Sequence, residues 1–367
     1  MPHSPIGRVV LVTGADLRPG VPGGTRSYVL GLARFLDGHG IPVDLVSNGA
    51  TAETVGGCDI RPLRAVFTPS SLRFQRHLRR WARREAFAGV DIMHFHRPDD
   101  LAAFRRDARI PPAVCTLHGN PHRGVRRRRG FLAGFAYDRL EARAFARFAA
   151  VIAVDSATAR AYAERYPAVA GRIHVIPNAI DDAWLEVPRR RGGEPSVRPP
   201  VFLYAGRLSP EKRVDRIIRA VAVAKELSGA SLLIAGSGPE EPRLRSLANG
   251  SSVRFLGNLR REDLARLYET VDGLVLASDY EGLPSVALEA LSFGCPVVAI
   301  RGCGVDDLVR EGGGVIADGV GGLPEALLLA HRLHTGGSRI HLPEAYTWAQ
   351  IGPRILQVYS EALEATG

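Results

Sequence analysis

Short apolar runs alternate with amphipathic stretches along most of the chain. Each run has the length of a buried strand, and the stretches between the runs repeat apolar residues at helical spacing. Strands that alternate with helices form parallel, doubly wound sheets, in which ligands bind beyond the carboxyl ends of the strands. The predicted strands are 8–13, 42–47, 91–95, 113–117, 151–154, 173–176, 201–205, 231–235, 253–257, 273–277 and 296–300.

The predicted strands fall into two series, separated by a segment rich in Arg, Gly and Pro. We predict a first α/β domain at 1–186, a linker at 187–200, a second α/β domain at 201–345 and a C-terminal helical segment at 346–367. A chain of 367 residues is long enough to bury two cores of ordinary domain size.

A strand-to-helix turn in the second domain is bracketed by two carboxylates, Glu281 and Glu289. Proline is favoured at the first helical position, so the sequence predicts a helix that starts at Pro284. The N–H groups of Ser285 and Val286 then lie in its first turn, where anions bind. If both glutamates were helical, they would lie about 12 Å apart along the axis, which suits a molecule of nucleotide-sugar length. Two surface glutamates beside an ordinary turn are the alternative.

Another strand-to-helix turn carries two cations. Arg207 and Lys212 follow the strand at 201–205, in a turn that begins with Gly206. Both cations can contact one pyrophosphate, and the glycine allows the backbone to approach it. An exposed basic turn is the alternative, although the chain has only one other lysine, Lys225.

The sequence from Glu281 to Ala299, with its Glu-x7-Glu spacing, resembles the retaining glycosyltransferases of family four. These enzymes have the GT-B fold, two Rossmann-like doubly wound parallel-sheet domains with a cleft between them. The resemblance implies that Glu281 holds the hydroxyls of the donor sugar and Glu289 those of the ribose. It also implies that Ser285 and Val286 donate N–H groups to the diphosphate. The cations at Arg207 and Lys212 match the family residues that neutralise the departing diphosphate.

The resemblance assigns further roles along the chain. It implies acceptor binding by the first domain, nucleotide-sugar binding by the second, and packing of the C-terminal helix back on the first domain. Gly23 and Gly24 would line the cleft beside the donor phosphates, although a plain turn is the alternative. His118 would face the donor sugar, with a loop histidine as the alternative. The backbone of the strand at 253–257, at Arg254 and Leu256, would contact the base.

One stretch departs from the family pattern. The family usually has Gly-Gly-Val-Pro-Glu where this chain has Cys303-Gly304-Val305-Asp306-Asp307. The chain therefore lacks a glycine and a proline there, and its acidic residue is shorter. We expect this difference to change the shape of the donor pocket and not the phosphate chemistry.

The resemblance implies a retaining transfer of a hexosyl-type sugar from a UDP- or GDP-sugar to a hydroxyl acceptor, and the cations at Arg207 and Lys212 predict that the transfer is metal-independent. Fixed cations supply the counter-charge for the leaving diphosphate, and the chain contains no Asp-x-Asp, the usual metal motif of GT-A enzymes. We expect no cofactor. Envelope polysaccharide, glycolipid or secondary-metabolite glycoside synthesis are the expected settings. A nucleotide-sugar 2-epimerase and a non-catalytic nucleotide-sugar-binding scaffold are the alternative functions.

Charge is concentrated in the first domain. Residues 1–190 hold 29 arginines against 17 acidic residues, a net charge of +12, whereas the remainder has a net charge of −2. Such asymmetry favours an anionic partner, with a general drift toward arginine as the alternative. The stretch 70–87 predicts a basic amphipathic helix that either lies on anionic lipid or packs its apolar stripe on the sheet. A second arginine cluster occupies 126–129, and no nucleic-acid-binding module is recognisable.

Cysteine usage and hydropathy indicate the compartment. The four cysteines lack paired C-x-x-C spacing, and no long apolar run or basic leader with an apolar core is present. We expect a cytoplasmic protein, with peripheral contact at the inner face of the cell membrane through the basic helix. His94 and His96 end a strand but have no carboxylate or cysteine at metal-ligand spacing, so we expect no zinc site and a structural role for His96.

Overall fold

The computed structural model describes residues 6–18, 23–48, 54–55, 58–63, 71–84, 87–105, 109–119, 134–135, 137–189 and 198–366. The chain forms two compact units. Unit 1 comprises Met1–Asp181 and Thr347–Gly367, and unit 2 comprises Asp182–Tyr346. Most of the predicted linker, residues 190–197, and the arginine cluster at 126–129 lie outside the described residues.

The elements follow the predicted alternation of strands and helices. The strands are β1 (Val9–Val12), β2 (Val43–Asn48), β3 (Thr54–Val55), β4 (Cys58–Leu63), β5 (Ile92–Phe95), β6 (Ala113–Leu117), β7 (Ala150–Ala153), β8 (Ile173–Val175), β9 (Val201–Ala205), β10 (Ser231–Ala235), β11 (Val253–Gly257), β12 (Gly273–Leu276), β13 (Val297–Ile300) and β14 (Gly314–Ala317). The helices are α1 (Gly24–Gly38), α2 (Ser71–Ala82), α3 (137–145), α4 (Ser156–Arg165), α5 (Asp182–Leu185), α6 (Val214–Ser228), α7 (Glu241–Leu247), α8 (Arg261–Tyr268), α9 (Ser285–Ser292), α10 (Asp306–Gly312), α11 (Leu323–Thr335) and α12 (Trp348–Glu364). Short 3-10 helices occupy Pro98–Ala103, Pro167–Arg172, Pro210–Lys212 and Glu344–Tyr346.

Each unit is built on one sheet. In unit 1 the strand order is β3-β4-β2-β1-β5-β6-β7-β8, and in unit 2 it is β11-β10-β9-β12-β13-β14. Neighbouring strands are parallel except β3 and β4, which are antiparallel. The predicted fold class, two Rossmann-like doubly wound α/β sheets, is confirmed. Strands β3, β4 and β14 were not predicted.

The strand order places two pairs of loops side by side. In unit 2 the order of strands reverses between β9 and β12, and in unit 1 it reverses between β1 and β5. At such a switch point the chains leaving the carboxyl ends of neighbouring strands turn to opposite faces of the sheet and open a ligand crevice between them. The switch point of unit 2 therefore brings the turn after β9 next to the loop after β12.

Helix α12 belongs to the core of unit 1, where it packs against α1. The approach is close because glycines lie at the crossing. A Cβ atom on Gly31 would lie 2.4 Å from Trp348 Nε1, and one on Gly352 would lie 2.2 Å from Phe35 Cε2. Trp348 and Tyr359, both buried, join the apolar cluster that β1, β2 and α1 form. The C-terminal helix thereby completes the first unit of the chain.

The basic amphipathic helix is observed as α2, and its apolar stripe faces the protein. Phe74 and Leu78 are only 2% and 0% exposed and belong to the core cluster of unit 1. Of the two predicted alternatives, packing of the stripe on the sheet is therefore the one that the structure shows. The arginines of the opposite face are exposed: Arg73, Arg76, Arg79, Arg80, Arg83 and Arg84. None of the helices in the described ranges is both long and apolar enough to cross a bilayer.

Candidate active site

The two predicted motifs of unit 2 meet at its switch point. Lys212 follows β9, Glu281 follows β12, and these strands are parallel neighbours. Lys212 Nζ lies 2.6 Å from Glu281 Oε2, and both side chains are partly exposed, at 26% and 12%. The Ser278 hydroxyl donates a hydrogen bond to Glu281 Oε1. The structure thus places a cation and a carboxylate in direct contact at the site where this fold binds its ligands.

Arg207 occupies the same turn and extends into solvent. Its side chain is exposed, and within the described part of the chain its guanidinium has no ion-pair partner. Its backbone carbonyl accepts a hydrogen bond of 2.8 Å from the Tyr204 hydroxyl. Burial, followed by the charges of Glu281 and Glu211, raises the pKa of Tyr204, so this hydroxyl stays a neutral donor. The Tyr204 hydroxyl therefore fixes the backbone of the turn, while the Arg207 guanidinium stays accessible to an anion.

Two glycines of the neighbouring loop hold that turn in place. A Cβ atom on Gly236 would lie 1.9 Å from the carbonyl oxygen of Gly206, and one on Gly238 would lie 2.3 Å from that of Leu208. Gly236 also has a φ of 132°, a value that favours glycine. The amide of Leu208 donates to the Ser237 carbonyl over 2.9 Å. The contact of the loop after β10 with the Arg207 turn was not predicted from the sequence.

Helix α9 begins one residue later than predicted. Pro284 caps the helix with φ −72° and ψ 130°, and Ser285 is its first helical residue. The extended ψ of Pro284 places it outside the helix, so the prediction that the helix starts at Pro284 is wrong by one position. Ser285 and Val286 still occupy the first turn, where N–H groups lack intrahelical partners. Glu281 lies in the preceding loop, so the axial spacing that two helical glutamates would have does not apply.

Glu289 lies on α9 and is buried. It is 8% exposed, and its Oε2 accepts a hydrogen bond of 3.2 Å from the Tyr268 hydroxyl. Burial raises the pKa of Tyr268 well above its usual value, which keeps that hydroxyl protonated as a donor. A buried carboxylate that already accepts one hydrogen bond has a fixed orientation and further acceptor capacity for hydroxyl groups.

Cys303 and Gly304, in the stretch that departs from the family pattern, pack against the loop that carries Glu281. A Cβ atom on Gly304, whose φ is 79°, would lie 2.2 Å from the Gly282 carbonyl oxygen. Cys303 is 1% exposed, and its Sγ lies 3.3 Å from the Ser278 carbonyl oxygen. Burial raises the pKa of Cys303 to about 12, so the thiol is neutral and packs as a small apolar group. Cys303 and Gly304 therefore help to shape the loop that presents Glu281.

The strand predicted to contact the base is β11, at the edge of the sheet in unit 2. Arg254 is exposed and Leu256 is half-buried. The carbonyl of Gly257, at the end of the strand, accepts a hydrogen bond of 2.7 Å from the Gly236 amide. The end of β11 is thereby joined to the same glycine loop that supports Arg207.

The remaining predicted residues lie in unit 1. Gly23 precedes α1 and Gly24 begins it, and the Gly23 carbonyl accepts a hydrogen bond of 3.0 Å from the Ser27 amide. A Cβ atom on Gly23 would meet nothing nearer than 3.9 Å, so local packing does not require a glycine there. Both glycines lie at the helix N-terminus that follows β1, on one side of the switch point of unit 1.

His118 directly follows β6 and forms a stack with two other histidines. The rings of His94 and His96 are 4.6 Å apart, and those of His96 and His118 are 5.4 Å apart. His96 Nδ1 and His118 Nε2 share a hydrogen bond of 3.1 Å. Burial lowers the pKa of His94 to about 3 and that of His118 to about 4, so the imidazoles are neutral near pH 7. The link between His96 and His118 was not predicted.

A buried acidic group lies near this stack in sequence but carries no predicted role. Asp100 is 0% exposed, and among the described residues neither of its carboxylate oxygens has a hydrogen-bond partner. Burial and the nearby Asp99 raise its pKa to about 7, against the opposing effect of Arg97. Sequence reasoning could not find this feature, because an Asp in a loop after a strand is usually exposed.

The described residues offer few options for a metal ion. Across the ranges given above, no three or more His, Cys, Asp or Glu side chains are grouped so that they could hold one. The stacked histidines approach one another through ring faces and through a nitrogen–nitrogen hydrogen bond.

Comparison with known sequences matches both units to glycosyltransferases. A sequence model described as Glycosyltransferase Family 4 matches residues 22–184, and one described as Glycosyl transferases group 1 matches residues 189–327. The D-inositol 3-phosphate glycosyltransferase of Salinispora arenicola is 31% identical over 237 residues, which are 56% of this chain and 53% of that protein. The chain thus matches about half the length of this curated relative, and the same holds for an uncharacterized glycosyltransferase of Methanocaldococcus jannaschii, of which 46% is covered.

Comparison with solved structures matches the fold over nearly the whole chain. Sucrose-phosphate synthase from Thermosynechococcus elongatus superposes with a TM-score of 0.76 at 22% identity, over 98% of this chain and 100% of that one. Anabaena HepE in complex with UDP-glucose superposes with a TM-score of 0.65 at 17% identity, over 98% of each chain. At these identities the likeness establishes the fold.

Proposed function

The chain belongs to the glycosyltransferases described as family 4 and group 1, and from this premise we propose that it is a retaining, metal-independent hexosyltransferase. It would transfer the sugar of a UDP- or GDP-sugar to a hydroxyl group of an acceptor. The observation that carries the proposal is the contact of Lys212 with Glu281 at the switch point of unit 2. This contact joins the two motifs that the resemblance assigned to the diphosphate and to the donor sugar.

The diphosphate is the group that the cations of unit 2 suit best. When the bond between the sugar and the diphosphate breaks, negative charge develops on the β-phosphate. Arg207 offers an accessible guanidinium, and Lys212 lies in the same turn. The first-turn N–H groups of α9 add donors and the positive end of a helix dipole. These groups would stabilise the leaving group by fixed electrostatics, without requiring a metal ion.

The carboxylates would hold the two ends of the donor. Glu281 is fixed by Lys212 and Ser278, so we assign it to binding the sugar hydroxyls rather than to nucleophilic attack. Glu289, oriented by the Tyr268 hydroxyl, would accept hydrogen bonds from the ribose. Gly206 and the end of β11, including Arg254 and Leu256, would lie along the nucleotide.

The acceptor hydroxyl would attack from the face that the diphosphate leaves and pass its proton to the departing phosphate oxygen, so that the anomeric configuration is retained. In unit 1, His118 is neutral near pH 7 because burial lowers its pKa to about 4. It would therefore act as a hydrogen-bonding group toward the sugar and not as a fixed positive charge. Gly23 and Gly24, at the N-terminus of α1, would leave room for the donor phosphates.

We propose an anionic acceptor, because basic charge is concentrated in the first part of the chain. The name of the Salinispora relative includes D-inositol 3-phosphate, which is an anionic molecule. The exposed arginines of α2 and the two residues after it would attract an anionic membrane surface. Since Phe74 and Leu78 are buried, that attraction would be electrostatic rather than by insertion. Co-flotation with anionic vesicles that is strong at low salt and absent at high salt supports electrostatic membrane binding. Co-flotation that does not depend on salt contradicts it.

A donor assay tests the proposed reaction. The protein is incubated with UDP-glucose, UDP-N-acetylglucosamine or GDP-mannose, with and without EDTA, in the presence of inositol phosphates or glycolipid acceptors. The expected result is release of UDP or GDP that depends on acceptor, survives EDTA and gives an α-linked product by NMR. A change of the donor sugar without acceptor supports the epimerase alternative, and tight nucleotide-sugar binding without turnover supports the scaffold alternative.

A further inference from the structure

Asp279 forms ion pairs with two guanidinium groups close to the Lys212–Glu281 contact. Its Oδ1 lies 2.7 Å from Arg216 Nη2 and 3.3 Å from Arg213 Nη1. All three side chains are partly buried, at 20% exposed for Asp279 and Arg216 and 26% for Arg213. Ion pairs with this degree of burial and two donors on one carboxylate hold their geometry better than isolated surface pairs.

The backbone joins the same two segments. The Asp279 amide donates a hydrogen bond of 2.9 Å to the Glu211 carbonyl, and Arg216 Nη1 donates one of 3.1 Å to the Ala277 carbonyl. The loop after β12 is therefore attached at two successive points to the turn before α6 and to the first turn of that helix. Lys212 and Glu281 lie within two residues of these attachments, so their separation depends on them.

Arg213 adopts an uncommon backbone conformation to make its contacts. Its φ of 49° and ψ of 42° lie in the left-handed region, and it is the one non-glycine residue with positive φ in the described part of the chain. This conformation is unfavourable for a residue with a Cβ atom. The side chain bridges Asp215, at 3.1 Å, and Asp279. A residue with a strained backbone and two ionic contacts next to Lys212 points to a function for the bridge.

We propose that Asp279, held by Arg213 and Arg216, is a positioning residue that keeps the Lys212 turn beside the loop leading into α9, so that Lys212 and the first-turn N–H groups of α9 bind one donor diphosphate. The role rests on the proposed function. Electrostatic stabilisation of a diphosphate depends on charges that are already in place, because mobile charges must be ordered at a cost when the ligand binds. Without the bridge, the Glu281 loop and the Lys212 turn are free to separate, and the diphosphate loses a preorganised site.

The substitutions Asp279→Asn and Arg213→Gly test this role. The first keeps the size of the side chain and removes its charge. The second removes the bridge and also the backbone strain, because glycine adopts positive φ freely. A matched control is Arg219→Gln, since Arg219 is 59% exposed and pairs with Asp215 and not with Asp279. Affinities for UDP, GDP and ADP, and for the corresponding monophosphates, are measured by calorimetry alongside the melting temperature.

The expected result is a selective loss of diphosphate binding. Asp279→Asn and Arg213→Gly bind the preferred diphosphate about tenfold more weakly, monophosphate binding changes little, and Arg213→Gly melts no lower than the wild type. A merely structural role predicts instead a lower melting temperature and equal losses for both ligands. The positioning role is overturned if both variants keep the wild-type ratio of affinities, or if Arg219→Gln loses as much. A wild type that binds none of the three diphosphates overturns the proposed function itself.

Discussion

Lys212 Nζ lies 2.6 Å from Glu281 Oε2, so the two charges that the proposed site uses neutralise each other. They come from turns that are far apart in the sequence and adjacent only because β9 and β12 pair in parallel. A diphosphate that reaches Lys212 therefore competes with, or shares the lysine with, the carboxylate. This arrangement predicts opposite effects on binding and on turnover when the carboxylate is neutralised.

Replacing Glu281 with glutamine removes the negative charge beside Lys212 and keeps an oxygen for the Ser278 hydroxyl. The diphosphate should bind more tightly, by about twofold to tenfold, because the lysine loses its counter-charge. Turnover should fall about 100-fold or more, because the sugar hydroxyls lose a charged acceptor. Calorimetry with the diphosphate and a steady-state assay measure the two effects.

The matched control for that variant is Glu241→Gln, which removes a carboxylate paired on the surface with Arg245 at 2.8 Å. It should change neither binding nor turnover. Weaker diphosphate binding by Glu281→Gln would contradict the idea that Glu281 competes with the phosphate for Lys212.

Replacing Gly236 with alanine should disrupt the turn that carries Arg207. The new Cβ atom would lie 1.9 Å from the Gly206 carbonyl oxygen, at a φ of 132° that alanine disfavours. We expect the free energy of unfolding to decrease by about 3 kcal/mol and nucleotide binding to be lost. Gly321→Ala is the control, because a Cβ atom there meets nothing within 4 Å. Urea unfolding checks the pair, and equal stability of the two variants would refute the close contact.

The buried histidines predict how stability changes with pH. Burial lowers the pKa of His94 to about 3, whereas an unfolded histidine titrates near 6.5. His94 therefore contributes stability that is complete above about pH 6.5 and is lost as the pH falls from there toward 3. When the pH falls from 7 to 5, the free energy of unfolding of the wild type should decrease by about 2 kcal/mol more than that of His94→Gln. Urea midpoints at the two pH values measure this difference.

Asp100 provides a control of opposite sign. Its pKa is raised to about 7 by burial, and an unfolded aspartate titrates near 3.9. It therefore favours the folded state at low pH, and that contribution is lost as the pH rises from about 4 to 7. We therefore expect the difference in free energy of unfolding between Asp100→Asn and the wild type to favour the variant more at pH 8 than at pH 5. The account of these buried groups fails if both variants shift the pH dependence in the same direction.

The sequence predicted the sheet strands where apolar residues run continuously and failed where they do not. Strands β6, β9, β10 and β11 have the predicted bounds, because each is an uninterrupted or nearly uninterrupted apolar run. Strand β4 includes Asp59, Arg61 and Pro62, and β14 starts in a run of glycines at 312–314, a composition typical of turns. These two segments form strands because they pair with a neighbouring strand, and the local sequence pattern does not show that pairing.

The site shows the same division between local and long-range information. The cations after β9 and the carboxylates around α9 follow from local motifs, so Arg207, Lys212, Glu281 and Glu289 could be predicted. The contacts of Asp279 with Arg213, 66 residues away, depend on which strands are neighbours, and so does the link of His96 to His118. Asp279 lies within the motif used for the prediction, yet only the pairing of β9 with β12 gives it a partner.

The most direct test of the proposed function is calorimetric titration of the wild type and of Lys212→Met with UDP, GDP and ADP in EDTA. The account predicts that one of these diphosphates binds the wild type without metal, and that the methionine variant, which keeps most of the apolar side-chain length, binds it at least about tenfold more weakly. Failure of all three to bind the wild type, or equal binding by Lys212→Met, would contradict it.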